Sequence, residues 1–211
     1  MKGFSRTVKY ASFMGAKQGF TCLGATIVLA LWFRLINGGE MSGFANPTMI
    51  LTFYGAFLLF LNLVLYPIFY LQNQLTVGCT RKHAAYGVAV TSLVYIFIVI
   101  SGYSAVAAYT KAFTVNGIIM RIAGFLALAG FGSLVGILVD RFGKVAYYLI
   151  TFSCIFGMVF LISMSSIREI ALPFVLGSME MSLVLFAVSV VIFIVGVVAL
   201  RNHVKKFEVK L

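Results

Sequence analysis

The chain has 211 residues, of which 62% are hydrophobic and 10% charged, and its mean hydropathy is +1.08. That composition excludes a soluble globular domain, and the length leaves room for several spanning helices with no separate soluble catalytic domain. The formal charge of +11 would suit a nucleic-acid binder, but its distribution along the chain marks membrane topology instead, so no nucleic-acid partner is expected.

The first element is 1–17, MKGFSRTVKYASFMGAK, too polar to span and too apolar for a free tail. At ~100° per residue Lys2, Arg6, Lys9 and Lys17 fall within an arc of about 80°, with Phe4, Val8, Ala11, Met14 and Gly15 opposite. Tyr10 and Phe13 break the pattern. The spacing predicts a basic amphipathic helix in the inner interface, its cations toward anionic lipid headgroups. The alternative is a disordered basic tail.

Apolar runs follow at 19–36, 47–71, 84–109, 118–139, 145–163 and 179–200. Each is long enough to span as a helix of roughly 20 residues, and none alternates as a barrel strand would. The first has a basic lead-in and no small-residue cleavage pattern after it, so it reads as a retained helix rather than a signal peptide. The fold expected is all-α and polytopic, with six transmembrane helices in one domain, 18–204, and a basic tail, 205–211.

Six crossings with the N-terminus inside put Lys2, Arg6, Lys9, Lys17, Arg81, Lys82, Arg141, Lys144, Arg201, Lys205, Lys206 and Lys210 on the inner side. Only Arg34, Lys111, Arg121 and Arg168 fall outside. By the positive-inside rule this predicts a multi-pass protein of the cell membrane with both termini in the cytoplasm. Between the fifth and sixth runs, 166–178 contains an apolar stretch too short to cross. Pro173 would bend it, giving a re-entrant segment in the outer leaflet or an exposed loop with an apolar patch.

Side chains that could carry chemistry are few. The histidines, His83 and His203, fall at inner helix ends, and the acids Glu40, Asp140, Glu169, Glu180 and Glu208 fall in loops, at helix ends or in the tail. No zinc-protease, nucleophile-elbow or phosphate-loop pattern occurs, so no enzyme is read here. Cys22, Cys79 and Cys154 lack metal or redox spacing, and neither a metal site nor a disulfide is expected. Asn62, inside the second run, is a polar contact between helices or a contact to a cavity.

Two inner loops carry resemblances. The segment GILVDRFGK, Gly136 to Lys144, resembles the cytoplasmic charge-relay loop of the major facilitator superfamily through Asp140, Arg141 and Lys144, although a tight inner loop favours glycine and positive charge in any case. The connection TVGCTRKH between the second and third runs, with Gly78, Thr80, Arg81 and Lys82, resembles the G-x-T-R-K segment of type-2 ABC export permeases. The six-run plan with its basic lead-in and short re-entrant stretch is similar to that family over the whole chain.

The second resemblance implies that 72–84 is a coupling helix docking on a separate ABC ATPase subunit. Leu75, Thr76, Val77, Gly78, Cys79, Thr80, Arg81, Lys82 and His83 would form the contact. It further implies a second permease copy or a homologous permease as partner, with ATP and Mg bound by the ATPase and no cofactor on this chain. The function expected is outward movement of an apolar or amphipathic substrate such as an antibiotic, peptide or lipid. The alternatives are a small secondary transporter resembling a major-facilitator half, or a membrane scaffold without transport.

Overall fold

The computed structural model describes residues 2–36, 47–67, 71, 75, 81–111, 113–143, 145, 148, 152 and 179–205, with side chains at all of these except 2, 3, 33, 34, 81 and 82. Among the described residues there are five α-helices and no strand: α1 (Lys2–Ile36), α2 (Pro47–Leu65), α3 (Arg81–Tyr109), α4 (Val115–Phe142) and α5 (Met179–Lys205). Each is long and apolar enough to cross a membrane. A helix satisfies every backbone group internally, which hydrocarbon demands.

The 35-residue α1 would measure about 52 Å at 1.5 Å per residue, well beyond a hydrocarbon core of about 30 Å. It passes the expected boundary at residue 17 without a break. Thr7, Ala11, Gly15, Gly19, Cys22 and Thr26 are buried in a stripe along one face, at the spacing that keeps side chains over one another on a helix.

That stripe packs on α3. The Phe4 ring meets His83 edge-on at 5.4 Å, Thr91 Oγ1 donates to Ala11 O at 3.2 Å, Gly19 faces Ile98, and Leu23 covers Gly102. Paired positions advance together along both helices, so α1 and α3 run parallel. Their backbones approach closely at Gly15, where a Cβ would stand 2.6 Å from Thr91 O. Small residues permit such contact where lipid offers no hydrophobic drive to association.

At the centre Tyr95 of α3 is fully buried, and its hydroxyl donates to Gly55 O of α2 at 2.8 Å. Tyr66, just past α2, donates to Ala84 O at 2.9 Å. These two bonds tie α2 antiparallel to α3. Gly132 lies against Phe60 and Leu63, and Gly136 against Leu63 O, so α4 runs parallel to α2. The start of α4 is capped by Thr114, whose Oγ1 accepts from Gly117 N at 3.2 Å. Its end is closed by Gly143, at φ 73, whose N–H donates to Val139 O at 2.8 Å. A positive φ at this position suits glycine.

The α4 and α5 backbones touch where Gly130 lies against Ile192 and Gly196, and Asp140 meets His203 further along both. These two helices therefore also run parallel. Consecutive described helices alternate in direction everywhere except here, so the chain leaves α4 and enters α5 at opposite ends of the bundle. The fifth expected span, 145–163, and the short apolar stretch, 166–178, lie outside the described residues apart from Val145, Tyr148 and Phe152.

Candidate functional site

One end of the bundle gathers the start of α1, the end of α2, the start of α3 and the ends of α4 and α5. The contacts Phe4 to His83, Tyr66 to Ala84, Arg201 over the Tyr86 ring at 5.5 Å, and Asp140 to His203 bring these termini together. Arg6, Lys9, Arg141 and Lys205 belong to the same end by their place on these helices, and all four are exposed. Arg81 opens α3 here.

Of the expected docking segment, Leu75 is half-buried and packs against the core, and His83 is half-buried beside Phe4. Thr76, Val77, Gly78, Cys79 and Thr80 lie outside the described residues, as do the side chains of Arg81 and Lys82. In the second inner loop, Asp140 turns away from its neighbour Arg141 and across to α5, where His203 Nε2 stands 2.7 Å from Asp140 Oδ2. A carboxylate oxygen accepts, so the contact is a hydrogen bond in the tautomer that carries its hydrogen on Nε2. Arg141 is exposed, and Lys144 lies outside the described residues.

Asn62 occupies a second location, between α1, α2 and α3. Gln18 Nε2 donates to Asn62 Oδ1 at 3.2 Å, an amide pair joining α1 to α2. Beside it is a cavity of about 20 Å³ with a mainly apolar lining that includes Met14, Leu59, Leu63 and Val88 and takes polar atoms from Gln18, Asn62 and Ser92, which is room for one water molecule. Ser92 is fully buried, and its Oγ has no hydrogen-bond partner among the described residues. The same amides also line a groove of about 260 Å³, together with Met14, Leu58, Lys17 and Thr21.

The amides thus line both a small, mainly apolar cavity and a wider, more open groove. Such a place suits an amphipathic molecule with a neutral hydrogen-bonding group, because the donors and acceptors here carry no charge apart from Lys17 at the rim. Sequence reasoning singled out Asn62 but not Gln18, Ser92 or His203. Gln18 follows a lysine at a point read as an interfacial helix end, and a serine in an apolar run carries no signal of its own. Among the described residues no three His, Cys, Asp or Glu side chains gather where they could hold a metal ion.

The fold and these sites define a multi-pass helical membrane protein. No family model matches the chain, and neither a curated protein nor a solved structure is significantly similar to it.

Proposed function

We propose that this chain is the membrane-spanning permease subunit of an ATP-driven exporter of the type-2 ABC class. It would work as a homodimer, or with a homologous permease, over separate ATPase subunits. The observation that carries the reading is the run Gly78, Thr80, Arg81 and Lys82 leading into α3, at the end of the bundle where basic residues collect. In this reading the connection fits a groove on a soluble partner, and its cations meet carboxylates at the rim of that groove.

The reading takes six spans, both termini in the cytoplasm, and one return crossing between α4 and α5. The parallel course of those helices supports that crossing, and the positive-inside rule supports the orientation. The substrate proposed is amphipathic, because the groove at Gln18 and Asn62 combines apolar walls with an uncharged polar floor. ATP binding on the partner would shift the α2–α3 connection and, through it, the packing of α1, α2 and α3 around those amides.

The test is reconstitution. The chain and an ATPase carrying a phosphate-binding loop are incorporated into vesicles, and ATP-dependent movement of a lipophilic fluorescent cation or a labelled lipid is followed. Movement driven by ATP without an ion gradient supports the exporter. Movement that follows a proton gradient and ignores ATP favours a secondary carrier, for which the Asp140 and Arg141 loop would be the starting point.

A further inference from the structure

Arg121 stands on α4 six residues after its first residue, Val115, which is about 9 Å down the helix axis. The 28 residues of α4 would match a whole bilayer of about 40–45 Å, headgroups included. Arg121 therefore sits near the boundary between headgroups and hydrocarbon, at the end of the bundle opposite the basic cluster. A cation there is costly and calls for a partner.

Three helices hold the side chain in place. Nε donates to Thr52 Oγ1 of α2 at 3.2 Å, Nη1 donates to Gly117 O of α4 at 3.0 Å, and the guanidinium lies 4.0 Å from the centre of the Tyr103 ring of α3. Tyr103 is buried, whereas Arg121 is only half-buried. These contacts fix the fork and spread its charge without neutralising it. Among the described residues no carboxylate pairs with it, and Asp140 is engaged instead by His203 near the far end of the helix.

A guanidinium has five N–H donors, and the two bonds to Thr52 and Gly117 leave three. Arg121 also lies in the second turn of α4, near the positive end of the helix dipole, where a cation is disfavoured and an anion is attracted. A fork held in this way beside a helix N-terminus, with no carboxylate partner among the described residues, is suited to a planar or tetrahedral oxyanion.

We propose that Arg121, positioned by Thr52 and Tyr103, binds an oxyanion at the outer headgroup level, the phosphate of an anionic phospholipid being one source and a free phosphate the other. This site is independent of the exporter reading and would exist in any membrane protein with this packing.

The experiment uses the full chain purified in a neutral detergent. Its unfolding midpoint is measured on addition of phosphatidylglycerol, of diacylglycerol with the same acyl chains, and of inorganic phosphate. Phosphatidylglycerol is expected to raise the midpoint by a few degrees, and diacylglycerol to leave it unchanged. Arg121→Gln should lose at least half of that rise, while Lys111→Gln, an exposed lysine near the same end, should keep it. A rise produced equally by inorganic phosphate and lost in Arg121→Gln assigns the oxyanion to solution instead of lipid. A full rise in Arg121→Gln, or an equal one with diacylglycerol, overturns the site.

A second measurement on the wild-type chain covers the case in which Arg121→Gln does not fold. Phenylglyoxal modification of Arg121, read by peptide mass, should slow at least threefold with phosphatidylglycerol or phosphate and be unaffected by diacylglycerol. Equal rates in all conditions contradict the proposal.

Discussion

Gly130 of α4 and Gly196 of α5 face each other with no room for a side chain between them: a Cβ on Gly196 would stand 2.5 Å from Gly130 O, and one on Gly130 would stand 2.5 Å from Ile192 O. The obstructing atoms are backbone, so a methyl group must push the helices apart. Gly130→Ala and Gly196→Ala are each expected to destabilise the bundle by about 1–3 kcal/mol through overpacking. Gly124 lies in the same helix as Gly130, and a Cβ there would have nothing within 4 Å, so Gly124→Ala should be neutral or stabilise by up to about 1 kcal/mol. Reversible unfolding in mixed micelles checks the contrast. Equal effects at Gly124 and Gly196 would show that helix propensity, not contact, governs both.

The Asp140 to His203 bond should be measurable as coupling. Asp140→Asn, His203→Ala and the double variant form a cycle, and the half-buried, single contact predicts an interaction energy of about 0.5–1 kcal/mol. The same cycle run on Arg141 with His203 should give no coupling, since Arg141 is exposed and His203 is engaged by Asp140. Coupling to Arg141 of the same size would mean that the loop behaves as a charge relay and not as a clasp between α4 and α5.

Gln18 and Asn62 separate a structural role from a transport role. Replacing both by Leu removes the donor and the acceptor of this bond together, so neither amide is left stranded by loss of the other, and stability should change by less than about 1 kcal/mol. Export of an amphipathic substrate should fall at least several-fold because the groove loses its polar floor. Unchanged export alongside unchanged stability would remove this groove from the substrate path.

How far the molecule could be read in its sequence differs between elements. The helices α2 to α5 were legible because a bilayer imposes length and apolarity on any span, and their observed bounds lie within a few residues of the apolar runs, the end of the second, read to 71, lying partly outside the described residues. The course of α1 was not. Its basic arc suggested an interfacial helix ending at Lys17, yet Ala11 and Gly15 are buried against α3, a packing that depends on a partner far along the chain. Asn62 was legible as a polar residue in an apolar run. Its partner Gln18 and the pairing of Asp140 with His203 were not, because hydropathy fixes the depth of a residue but not which helix stands beside it.

Parallel α4 and α5 make the crossing between them testable. Cysteines placed at Lys144 and at Ser178 in an otherwise cysteine-free chain should label from opposite sides of sealed cells, Ser178→Cys from outside and Lys144→Cys only after permeabilisation. Labelling of both from one side would contradict the six-span account.

Docking on an ATPase through the α2–α3 connection is the central claim, and charge reversal at the start of α3 tests it most directly. Arg81→Glu with Lys82→Glu leaves Arg6, Lys9, Arg141 and Lys205 to orient the chain, so membrane insertion should persist. Where carboxylates of a partner face these positions, reversal costs about 2–5 kcal/mol, against less than about 1 kcal/mol for exposed and screened charges. Co-elution of the double variant with the ATPase, and its stimulation of ATP hydrolysis, are measured beside the wild-type chain. The account predicts loss of both with normal insertion; an intact complex with undiminished stimulation would contradict it.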